Sequence, residues 1–137
     1  MKVLVDTCVW SQLLRKTVAD SDPIASELKE LITEFQVQMI GPIRQELLSG
    51  IKNKNQFALL KEHLRSFPDL EIVTEDYEAA AQMSNDCRRK GVQGSHTDFL
   101  ICSVANRYDL AIFTTDGDFE LYRRHIPIKL YKRRKRG

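Results

Sequence analysis

The sequence has 137 residues, enough for one compact domain without staples. Hydrophobic residues make up 42% and charged residues 29%, an ordinary globular balance that excludes wholesale disorder. The longest charge-free stretch, residues 35–43, is far short of the ~18 apolar residues of a membrane span. Asp6 interrupts the one apolar start, so a secretory signal is not expected either.

The net charge of +2 hides an asymmetry. Six of the 21 Lys and Arg residues lie within residues 129–136. The remaining 15 face 19 Asp and Glu, so the body carries about −4 and the end of the chain +6. This divides the chain into a domain over residues 1–128 and a basic C-terminal tail over residues 129–137. A run such as Lys132-Arg133-Arg134-Lys135-Arg136 reads either as a solvated end or as an arm for a polyanion. It has no apolar residue to pack against a core, so its loss is expected to leave the melting temperature unchanged. The three cysteines, Cys8, Cys87 and Cys102, are odd in number and form no CxxC pair. They suit packing in a reducing compartment, and a cytoplasmic protein is expected.

Short apolar runs alternate with helical patterns along the chain. Val3-Leu4-Val5 reads as a strand, and Val9, Trp10, Leu13 and Leu14 fall at helical spacing from about Thr7. Pro23 opens a helix striped by Ile24, Leu28, Leu31, Ile32 and Phe35. Residues 37–40 form a second strand, closed by Gly41-Pro42, and Ile43, Leu47 and Leu48 stripe the helix that follows. Residues 56–67 give another helix, and residues 70–73 a third short strand. Thr74 caps a long helix with Tyr77, Ala80, Ala81, Ser84 and Cys87 inside. After Gly91 and Gly94, Ser95-His96-Thr97-Asp98 starts the next helix. Residues 111–114 make a fourth strand, and residues 126–129 are placed for a fifth. Strands separated by helices imply parallel pairing with right-handed crossovers. The expected architecture is a three-layer α/β/α sandwich around a parallel sheet of four to five strands.

Ligands of open α/β sheets bind beyond the carboxyl ends of the strands. Asp6 directly follows the first strand, and Asp116 lies just past the fourth. Asp98 sits in a first helical turn, and Glu46 just over one turn past Pro42. A parallel sheet brings all four acids to one edge. Taken singly, each has an ordinary explanation: Asp6 as a helix cap, Asp98 as part of a capping box, Glu46 as an exposed helix residue, Asp116-Gly117-Asp118 as a turn. Together they repel one another, and a hard divalent cation with oxygen ligands relieves that repulsion. Rival chemistries lack their residues. The sequence has no phosphate-cradling GxGxxG or GxxxxGK[ST] loop and no GxSxG elbow. Asp6-Thr7-Cys8 lacks the DxD start of an aspartyl-phosphate enzyme. His63 and His125 read as surface residues, and His96 as a first-turn neighbour of Asp98.

Asp6-Thr7-Cys8-Val9-Trp10 resembles the opening motif of PIN-domain nucleases. Residues 43–50, with Glu46 followed four residues later by Gly50, are similar to their second motif. Residues 95–105 resemble the third and Thr114-Thr115-Asp116-Gly117-Asp118-Phe119 the fourth. Order, spacing and length are similar to those of VapC-type toxins of type II toxin–antitoxin systems. Cys8 stands where a serine is frequent, and His96 where a small residue is common.

The resemblance implies an endoribonuclease that leaves a 5′-phosphate and a 3′-hydroxyl, dependent on one or two Mg²⁺ ions with Mn²⁺ as a substitute. Asp6, Asp98 and Asp116 are the expected metal ligands. Glu46 is expected to hold a second ion or orient water. Thr7, Thr114 and Asp118 are expected around them as hydrogen-bonding support. Arg15, Lys16, Arg44, Lys132, Arg133 and Arg134 are the candidate RNA contacts, and a structured RNA such as a tRNA is a compatible substrate. A homodimer and a cognate antitoxin are implied as partners. An RNA-processing nuclease without an antitoxin is the alternative, and a phosphatase or phosphoacceptor domain a more distant one.

Overall fold

The computed structural model describes residues 1–15 and 21–134. Four strands form one sheet: β1 (Val3–Val5), β2 (Val37–Gln38), β3 (Ala111–Phe113) and β4 (Lys129–Leu130). Their order is β2-β1-β3-β4 and every pairing is parallel. Val3 stands opposite Val37 on one side and Ala111 on the other. Successive strand residues point to opposite faces, yet Val3, Leu4 and Val5 are all fully buried. Both faces are therefore covered, as an all-parallel sheet requires.

Among the described residues seven helices do the covering: α1 (Thr7–Leu14), α2 (Pro23–Thr33), α3 (Gly41–Leu48), α4 (Lys54–Leu64), α5 (Thr74–Arg89), α6 (His96–Arg107) and α7 (Asp118–Arg123). This is the expected three-layer sandwich. Local chemistry sets the helix starts. Asp22 accepts from the Ile24 and Ala25 N–H groups, with Pro23 next in line. Asn53 caps α4 in the same way, which moves that helix to residues 54–64 from the expected 56–67. At α5 the cap is Val73, not Thr74, and the Asp76 carboxylate accepts from the Val73 N–H at 3.0 Å.

The remaining differences have physical reasons. Residues 70–73 do not pair as a strand. Only Met39 and Asp69 bridge there, and the Glu71 carbonyl is taken by the Arg107 and Tyr108 side chains. Phe35 leaves the α2 stripe because the chain turns there with φ 58°, which puts its ring in solvent. The inner face of α5 is Asp76, Ala80, Met83 and Cys87, rotated from the expected one, and Tyr77 is exposed.

The boundary expected at residue 129 falls inside the sheet. Lys129 and Leu130 pair with Ala111 and Ile112. Beyond them Tyr131 packs on Phe113, and Arg134 pairs with Glu27, Glu30 and Glu34 of α2. No helix among the described residues is long and apolar enough to cross a membrane.

Candidate active site

The chain runs from β1 to β2 on one side of the sheet and returns to β3 on the other. The connections leaving β1 and β3 therefore diverge, and a crevice opens at their carboxyl ends. Asp6 stands on this edge. Its N–H donates to the Phe113 carbonyl at 2.9 Å, which extends the ladder one step past β1 and fixes the residue against β3. Its side chain is buried and crowded with donors. One oxygen accepts from the Thr7 N–H at 2.8 Å and so caps α1, and the other accepts from Thr114 Oγ1 at 2.9 Å. The Cys8 thiol lies 3.6 Å from that second oxygen and 3.4 Å from Thr114 Oγ1. Cys8 is half-buried, packing against the core beneath the site, whereas Cys87 and Cys102 are fully buried; all three thiols are free.

Asp98 reaches the same edge from α6. Ser95 caps that helix by accepting from the Asp98 N–H at 3.0 Å. The Asp98 carboxylate accepts from the Tyr122 hydroxyl at 2.7 Å. Burial pushes the Asp98 carboxyl above its ordinary range, and Asp6 and Asp116 push it the same way, while Tyr122 and Ser95 oppose them. Glu46 on α3 is also raised, first by burial and then by the charges of Asp6 and Asp98. Thr7 Oγ1 is buried with no partner at bonding distance, and it lies close enough to Glu46 to favour the charged form. Asp116 is exposed on the loop after β3. Its N–H donates to Thr114 Oγ1 at 3.0 Å, and its carboxylate accepts from the Asp118 N–H at 2.9 Å.

The four predicted acids therefore share one edge, closely enough that Asp6 and Asp98 act on Glu46 and that Asp6 and Asp116 act on Asp98, with Thr7, Thr114 and Asp118 beside them. Among the described residues none of the four forms an ion pair with Lys, Arg or His. Among the described residues no three His, Cys, Asp or Glu side chains are grouped closely enough to hold a metal ion as they stand. The donors on this edge are carboxylate and hydroxyl oxygens, the type that a hard divalent cation such as Mg²⁺ or Mn²⁺ takes.

Sequence reasoning missed Tyr122, which is buried between Phe99 and Phe119. A tyrosine on an inner helix face needs a partner for its hydroxyl, and that rule was the available signal. The basic candidates fare differently. Arg44 is not free for RNA: it bonds the Leu64 and Phe67 carbonyls and the Asp69 carboxylate. Arg134 is held by the acids of α2. Arg15, Lys132 and Arg133 are exposed, and Lys16 lies outside the described residues.

A parallel sheet with acids after the first strand, on the third and sixth helices and on the loop after β3 has the layout that the motifs of the sequence led to expect. The PIN domain family model matches residues 3–124, and the chain belongs to the PIN-domain family. Within it the chain is of the VapC type. It is 31% identical over 126 residues to Ribonuclease VapC11 of Mycobacterium tuberculosis, covering 89% of this chain and 92% of that one. The VapC ribonuclease Mb1587 of Mycobacterium bovis matches equally. Among solved structures, FitAcB from Neisseria gonorrhoeae superposes with a TM-score of 0.76 at 21% identity, covering 95% of this chain and 96% of that one. VapBC2 from Rickettsia felis, bound to a DNA fragment from its promoter, also gives 0.76, at 18% identity with 96% and 98% covered.

Proposed function

We propose that the protein is a metal-dependent endoribonuclease, the toxin member of a toxin–antitoxin pair, acting through Asp6, Glu46, Asp98 and Asp116. The observation that carries this reading is the gathering of those acids at one sheet edge, where Glu46 and Asp98 are raised by burial and by their acidic neighbours and no ion pair with Lys, Arg or His forms among the described residues. Asp6, Asp98 and Asp116 would hold Mg²⁺ or Mn²⁺. When bound, one or two such ions supply the charge that lets a phosphodiester approach the acids and acidify a water for attack on phosphorus.

The chain's own residues prepare that event. Thr114 and the Thr7 N–H each fix one oxygen of Asp6, and Tyr122 fixes one oxygen of Asp98, so both carboxylates keep a set orientation. Glu46, with its raised affinity for a proton, would accept one from the attacking water or hold a second ion. Hydrolysis in this sense leaves a 5′-phosphate and a 3′-hydroxyl. The VapC ribonucleases it resembles, and structural neighbours that include a toxin–antitoxin complex from Klebsiella pneumoniae, support an RNA substrate and a cognate antitoxin. We extend the reading to a cytoplasmic homodimer, with a structured RNA such as a tRNA as one candidate substrate.

The test is incubation of pure protein with total RNA, with and without Mn²⁺, followed by mapping of the cut ends. Metal-dependent cuts bearing 5′-phosphates support the reading. Intact RNA alongside hydrolysis of a small phosphomonoester would replace it with the phosphatase alternative. Growth arrest on expression without a partner, relieved by Asp116→Ala, separates the toxin from an RNA-processing enzyme.

A further inference from the structure

Outside the acidic edge, cations gather where the C-terminal ends of α5 and α7 line one cavity. Asp86, Arg89, Lys90, Arg124 and His125 line a cavity of about 660 Å³ there. Arg89 is paired with Asp86, and Arg123 with Glu120 at 2.6 Å. Arg88, Lys90 and Arg124 are exposed and have no ion-pair partner among the described residues. A helix C-terminus welcomes a cation, which accounts for each singly. It does not account for two helix ends bringing several cations to one cavity whose carboxylate, Asp86, is already paired with Arg89, because like charges repel.

The end of α5 also comes close to the start of α6, which carries Asp98. Arg124 is two residues past Tyr122, whose hydroxyl binds Asp98. Arg88 lines a second cavity together with His96 and Thr97, which immediately precede Asp98 on α6. A nucleic-acid strand crossing the acids meets repulsion at every phosphate except one neutralised by a metal, so its neighbours need cations close by. Arg44 and Arg134 are already committed within the protein.

We propose that Arg88, Lys90 and Arg124 bind the phosphates of the RNA strand beside the bond that is cut, an inference that rests on the ribonuclease reading. The test uses the full chain carrying Asp6→Asn, so that RNA survives the measurement. Binding of a labelled single-stranded RNA is followed by anisotropy over a KCl series, with and without Arg88→Ala, Lys90→Ala and Arg124→Ala together. Weaker binding is expected, with the slope of log affinity against log salt flatter by about 2, at about 0.7 per phosphate contact. The three side chains are exposed, so the melting temperature stays put. In a protein with Asp6 intact the cut sites stay in place, because phosphate contacts carry no base information.

An unchanged affinity and slope, in a parent that does bind RNA, overturns the proposal and leaves the ribonuclease reading standing. So does an unchanged RNA slope combined with lost affinity for an acidic partner protein, which would make the cluster a protein-binding surface. A wild-type protein that neither binds nor cuts RNA overturns the ribonuclease reading and this inference together.

Discussion

Tyr122 donates its hydroxyl to Asp98 at 2.7 Å, and Gly94 leaves the space in which it does so. A Cβ on residue 94 would stand 2.2 Å from the Tyr122 hydroxyl oxygen. Burial, and after it the Asp98 carboxylate, drives the Tyr122 hydroxyl far above its ordinary pKa, so it remains a donor at any physiological pH. Tyr122→Phe keeps the ring between Phe99 and Phe119 and removes only that donor. We expect a loss of about 1 kcal/mol in stability, the worth of one hydrogen bond. The rise in melting temperature on adding Mn²⁺ should also shrink, because Asp98 loses its set orientation. Gly94→Ala, which pushes the hydroxyl aside, should reproduce the second effect. Wild-type Mn²⁺ shifts in both variants would show that Tyr122 does not position Asp98.

The raised carboxyls make a prediction about pH in the absence of metal. A carboxyl whose folded pKa is raised holds its proton more tightly when folded than when unfolded. Its contribution to stability is complete below the unfolded value, 3.8 for Asp98, and is lost as pH climbs through the higher folded value. Asp98→Asn removes the ionisation, and with it the penalty at neutral pH. In EDTA the variant should melt at or above the wild type at pH 7. The gap should close as pH falls towards 3.8, while cleavage is abolished throughout. A variant that melts well below the wild type at pH 7 would mean that the Asp98 charge stabilises the apo fold.

Asp6 gives the direct test of metal binding. An ion that binds only the folded state raises the melting temperature by mass action. Asp6→Asn should keep the α1 cap, since an amide oxygen also accepts from the Thr7 N–H. Differential scanning fluorimetry with a Mn²⁺ titration should then show a clear shift for the wild type and a much smaller one for the variant. Equal shifts would place the ion elsewhere.

The acids were legible in the sequence because a parallel sheet converts chain position into spatial position. A residue directly after a strand must stand on the carboxyl edge, whatever the details of packing. Asp6 and Asp116 follow from that rule, and Asp98 from its place in a first turn after a glycine loop. What was hidden depends on contacts that no local pattern carries. The face of α5 turned because Asp76 is drawn inward by Arg107, 31 residues away. The strand expected at residues 70–73 failed where its Glu71 carbonyl was claimed by side chains of α6 and its C-terminal cap. Arg44 reads as a free cation in the sequence and is an internal strut in the fold.

The end of the chain is where composition misled most, and it yields the last prediction. A run of five cations with no apolar member reads as unable to pack. Yet Glu27 on α2 is fully buried, and two of its partners come from that end of the chain. The Tyr131 hydroxyl donates to Glu27, and Arg134 Nε reaches the same oxygen at 2.9 Å. Arg134 also reaches Glu30 at 3.5 Å and Glu34 at 2.9 Å, so it straddles an acidic ridge on one face of α2. A buried carboxylate that loses a partner costs more than an exposed ion pair, because its desolvation is no longer offset. Arg134 is itself 42% exposed, so water replaces part of what it supplies. We therefore expect Arg134→Ala, and a chain ending at Tyr131, to melt measurably below the wild type, because the buried Glu27 carboxylate loses a partner. Arg134→Lys should recover only part of that loss, since an ammonium cannot bridge several carboxylates as a guanidinium fork does. Pairing Arg134→Ala with Glu27→Gln isolates the coupling. With the buried charge gone, removing Arg134 should cost clearly less than it does in the wild type. An unchanged melting temperature on truncation would return the segment to the role of a solvated tail.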